Sequence, residues 1–103
     1  MVTTKQQILD IAMNLNRMGN WAADGYETKQ KRIKLFLDQT NGYIETINLA
    51  TLPKQFAPTM RSFVLQYSSL IHEGKSKPPD IDVWAEKMMT WGNILTHRAS
   101  LLS

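Results

Sequence analysis

The chain predicts an all-α fold, a four-helix up-down-up-down bundle, and three observations carry that expectation. Apolar residues recur with the 3.6-residue period of a helix over four long stretches. No stretch alternates apolar and polar residues as a half-buried strand would. The connections between stretches are short and hold the turn-forming Pro, Gly and polar residues. Helices over about 4–23, 28–49, 58–73 and 80–102 occupy most of the 103 residues, which form a single domain, 1–103. An irregular small helical array is the alternative, reached if the first helix stops early and the first two helices cross differently.

Thr3 or Thr4 caps the first helix, whose apolar stripe is Ile8, Ile11, Ala12, Leu15, Met18, Gly19 and Ala22, widened by Leu9 and Met13. Two stops are open to it, Gly19-Asn20 and Asp24-Gly25. The later one is favoured because Ala22 continues the stripe and Ala23 is a strong helix former. The second helix places Ile33, Phe36, Leu37, Thr40, Tyr43, Ile44 and Ile47 on one face, with Asn41-Gly42 as a weak point inside it. Pro53 and Pro58 bracket a connection. A third helix follows, with Met60, Phe63, Val64, Tyr67, Leu70 and Ile71 inward and Gly74 as its expected stop.

The last helix is the clearest. Pro78-Pro79 ends what precedes, and Asp80 supplies a carboxylate for the free amides of the first turn. Ile81, Trp84, Ala85, Met88, Trp91, Gly92, Leu95, Ala99 and Leu102 then fall in a stripe roughly 120° wide. Gly92 within it implies close approach of a neighbouring helix, because an interior glycine costs about 1 kcal/mol relative to alanine unless packing offsets it. A second row, Val83, Ile94 and Leu101, lies roughly 200° round from the first, beside Lys87, Thr90 and His97. Isolated exposed apolar residues are ordinary, but a row suggests a helix covered on two sides, once by its own fold and once by a partner.

Chemistry finds little to work with. There is no cysteine and there are two histidines, His72 and His97, in neither Glu-x-x-His nor His-Glu-x-x-His spacing, so neither metal nor cofactor is expected. No serine sits in a nucleophile elbow, and the five glycines are isolated rather than gathered in a phosphate loop. The carboxylates fall at caps or on polar faces. A non-catalytic protein is expected. No run of about 18 apolar residues could cross a membrane, and no secretory leader precedes the first helix, so the expected place is the cytoplasm.

The expected function is that of a small protein–protein interaction or self-association domain, with itself (a homodimer) or another protein as partner. Its interface would be Val83, Ile94 and Leu101, with Trp21 added because it points off the first stripe. A net charge of +3 and the run Lys29, Lys31, Arg32 and Lys34 give the alternative, an accessory protein binding nucleic-acid phosphates. On a helix these four cations do not share one face, and stems lying over apolar surface explain them as well. A third reading places a small-molecule pocket among Trp84, Met88 and Trp91, residues whose ordinary role is core.

Overall fold

The computed structural model describes residues 3–102; Met1, Val2 and Ser103, part of the expected 1–103 domain, lie outside the described residues. Three helices carry the fold: α1 (Thr4–Glu45), α2 (Ala57–Ser76) and α3 (Ile81–Ser100). No strand occurs among the described residues. The expected count of four is three because the first two helices are one element.

α1 is continuous through Gly19 and Asn20 and leaves helical geometry at one residue, Gly25, with φ 168° and ψ 86°. Unbroken, its 42 residues would reach about 63 Å, yet the longest dimension of the molecule is 38 Å. The helix folds back at Gly25. The Asn14 side-chain amide donates to Gln39 Oε1 at 3.0 Å and to Thr40 Oγ1 at 3.2 Å, and the rings of Trp21 and Phe36 meet edge-on at 4.9 Å. These pairs run in opposite directions from Gly25, so α1 is two antiparallel arms joined at one residue.

The other helices pack antiparallel in turn. α2 lies on the second arm: Tyr67 donates its hydroxyl to the carbonyl of Leu37 at 3.0 Å, and Tyr26 donates to that of Gly74 at 2.5 Å. Lys75 pairs with Asp38 and Lys77 with Glu27 along the same seam. α3 lies chiefly on α1 and touches α2 only lightly. Small residues explain that preference. A methyl group on Gly19 would stand 2.9 Å from the carbonyl oxygen of Ala85, and one on Gly92 would stand 2.8 Å from the Asn16 side chain. The neighbour expected at Gly92 is therefore the first arm of α1.

The stripes converge on one core. Ile8, Ile11, Leu15 and Met18 from the first arm, Ile33 and Leu37 from the second, Met60 and Phe63 from α2, and Trp84, Met88 and Leu95 from α3 are all sealed from solvent. Each such side chain contributes about 1.5–3 kcal/mol relative to exposure.

The ends differ in detail from the periodicity. The Thr3 hydroxyl accepts from the Gln6 amide and the Asp80 carboxylate from that of Val83, both at 3.1 Å. The second arm stops at Glu45, four residues short of the expected Leu49; Ile47 is still buried, but from an irregular segment that includes a 3₁₀ turn over Leu49–Thr51. α2 does not stop at Gly74, which is buried inside it with Trp84 and Leu37 close by. The stop is Lys77, whose φ of 74° is unusual for a residue with a side chain. Its ψ of 117° suits the residue preceding Pro78.

Candidate functional site

A face between α2 and α3 stays open because α3 leans on α1. Pro58, Thr59 and Ser62 of α2 face Trp91, Ile94 and Arg98 of α3 across a shallow groove of about 690 Å³. A second depression adjoins it, lined by Gln66, Val83, Glu86, Lys87 and Thr90 and sharing Trp91 and Ile94. A third, at the C-terminal end of α3, holds Leu101 and shares Arg98 with the first. The groove therefore follows α3 from Val83 to Leu101.

Local structure explains its floor. Trp91 lies at the edge of the core stripe, half-buried, 5.4 Å from the ring of Phe63. Its indole nitrogen donates to Gln66 Oε1 at 3.1 Å, which bridges α3 to α2 and fixes the ring. Ile94 is half-buried beside it, while Val83 is 44 % and Leu101 69 % exposed. Lys87 and Arg98 stand on the α3 lip, exposed, and neither is in an ion pair within the described residues.

Of the residues proposed for an interface, Val83, Ile94 and Leu101 share this one face. Trp21 is elsewhere. It packs on Phe36, and the Arg32 guanidinium lies 5.1 Å from its ring centre, on the arms of α1. The four cations proposed for nucleic acid are dispersed in role. Lys29 is paired with Asp24, Arg32 covers Trp21, Lys31 is exposed and Lys34 is half-buried. Trp84, Met88 and Trp91 separate as well: the first two are core, with Trp84 donating its indole N–H to the Leu70 carbonyl at 2.9 Å, and only Trp91 reaches the groove.

The groups with displaced titration lie away from the groove. Burial pushes the Tyr67 and Tyr26 hydroxyls up. The hydrogen bond and charge of Lys29 hold the Asp24 carboxyl below its usual range, and Lys77 does the same for Glu27. No group of three or more His, Cys, Asp or Glu side chains that could hold a metal occurs among the described residues. No described helix is long and apolar enough to cross a membrane.

The α2 wall escapes detection from sequence alone. Ser62 and Gln66 sit four apart on the polar side of their helix, an ordinary solvated pattern until α3 is seen opposite. In comparisons with family models, curated proteins and solved structures, nothing matches this chain.

Proposed function

We propose that this protein is a non-catalytic interaction module, an up-down-up-down arrangement of four rods counted from the Gly25 break, that docks another protein or a second copy on the outer face of α3. One observation carries the reading. Trp91 and Ile94 form an apolar strip shared by two adjoining depressions, with Val83 and Leu101 exposed at its ends. An aromatic anchor held by its own hydrogen bond, beside aliphatic side chains, suits docking because little side-chain freedom remains to be lost on binding. Chains that pack a helix on both sides leave such a row once the first side is covered.

Light scattering coupled to size exclusion, with Ile94→Glu as the probe, tests it. The expected result is self-association, or capture of a helical partner, that the substitution abolishes while circular dichroism stays unchanged. A chain that remains monomeric at high micromolar concentration and binds no helical peptide overturns the reading.

A further inference from the structure

A single residue interrupts α1. Helical geometry runs from Thr4 to Asp24 and again from Tyr26 to Glu45, and Gly25 alone departs from it. No proline lies between residues 4 and 45 to enforce the break. Nor does the apolar pattern change phase there. Leu15, Met18 and Ala22 continue as Tyr26, Ile33 and Leu37, all buried. At about 100° per residue the stripes of the two arms point the same way to within about 20°. A hairpin leaves the phase across its turn free, whereas a straight helix with one apolar face requires it to be kept.

Contacts divide at the same residue. α2 belongs to the second arm, through Tyr67 to Leu37, Tyr26 to Gly74 and Lys75 to Asp38. Trp84 ties α3 to α2 by its bond to the Leu70 carbonyl. The first arm packs on this unit at Thr40, Phe36 and Ala85, through Asn14, Trp21 and Gly19. Pairing along the two arms is regular: Gln7 meets Thr46, Asn14 meets Thr40 and Trp21 meets Phe36. One arm advances as the other recedes. Two straightened α1 helices laid antiparallel, with a two-fold axis near Glu27, would therefore bring the same residues together, each pair twice.

We propose that Gly25 is a hinge at which α1 opens, so that two copies of this chain exchange residues 4–24 and close each other's core. An exchanged element re-forms native contacts, so the dimer needs no new interface. A one-residue hinge favours exchange because it gives the arms no slack. Opening also replaces the break with continuous helix in each chain. The seam between the arms is the interface, and the outer face of α3 plays no part in it.

The test refolds the whole chain from denaturant at high micromolar concentration and follows its mass by light scattering. A dimer is expected, untouched by Ile94→Glu. Gly25→Ala should tighten it by about tenfold or more, because alanine favours the straight helix in both chains. The added methyl group would meet only Thr28 Oγ1 at 3.0 Å, the end of a side chain that can turn, so the variant still folds. A Gly-Ser insertion of about five residues after Gly25 should return the protein to monomer. The chain has no cysteine, so copies carrying Gln7→Cys and copies carrying Thr46→Cys can be refolded together and treated with a short bismaleimide. Exchange predicts links between the two kinds in excess of links within either kind. A monomer in both the native chain and Gly25→Ala overturns the proposal, as does a dimer that the insertion leaves intact. A dimer broken by Ile94→Glu and without the mixed link overturns it too, yet leaves the docking reading standing.

Discussion

The indole nitrogen of Trp84 donates to the Leu70 carbonyl at 2.9 Å, and the ring around that bond is 1 % exposed. It is one of two indole bridges from α3 to α2, the other being that of Trp91 to Gln66. Because α3 and α2 otherwise touch lightly, the buried bridge sets their spacing. Trp84→Phe deletes the donor and leaves part of the ring's volume empty. The expected loss is about 2–4 kcal/mol, read from urea unfolding. A loss within about 0.5 kcal/mol would show that the spacing is held elsewhere.

Gly19→Ala and Gly42→Ala should act in opposite directions. Helix propensity alone favours both by about 0.5–1 kcal/mol. At Gly42 nothing lies within 4 Å of the added methyl group, so the gain should appear as a raised Tm. At Gly19 the methyl group meets the Ala85 backbone, which cannot rotate away. Separation of α1 and α3 is the only relief, and the expected net loss is about 1–3 kcal/mol.

Asn14 and Thr40 form a buried polar contact across the two arms of α1. Thr40→Val removes the oxygen and leaves a buried amide with one partner fewer, at an expected cost of about 1–3 kcal/mol. Replacing both residues together, as N14L/T40V, should cost less than the sum of the two single changes, since no polar group is then stranded. Additive losses in denaturant melts would rule out direct coupling.

Alkaline pH should destabilise the fold. Burial raises the Tyr67 and Tyr26 hydroxyls above their ordinary value of 10.0, so the folded state binds their protons more tightly than the unfolded state. Their contribution is complete below pH 10 and declines as pH rises beyond it toward the folded values. Lys77, raised by its bond to Glu27, changes in the same direction but is exposed and screened. Thermal midpoints measured between about pH 8 and 11 should fall above about pH 10, and Tyr67→Phe should flatten that fall.

Periodicity made the core readable. Ile8, Ile11, Leu15 and Met18, then Met60, Phe63, Tyr67 and Leu70, then Trp84, Met88 and Leu95 all recur at helical spacing and all are buried. What it missed were residues whose burial depends on a second element. Tyr26 sits just after the helix break, where an exposed connection is the natural reading, yet its ring is buried and its hydroxyl reaches Gly74. Asn14 is polar and lies just beyond the edge of the first stripe, and only the opposing arm supplies its partners. Gly74 has the composition of a helix end and is instead a space left for Trp84. In the same way the row Val83, Ile94 and Leu101 was visible as a pattern, whereas its groove depends on where α2 stands.

The two glycine approaches, Gly19 to Ala85 and Gly92 to Asn16, lie between the first and last fifths of the chain. During synthesis the first arm can zip against the second as soon as both have emerged, because their contacts are close in sequence. Its remaining apolar surface stays uncovered until residues 81–100 arrive. That interval is when a chaperone, or an unrelated greasy surface, has its best chance at this chain.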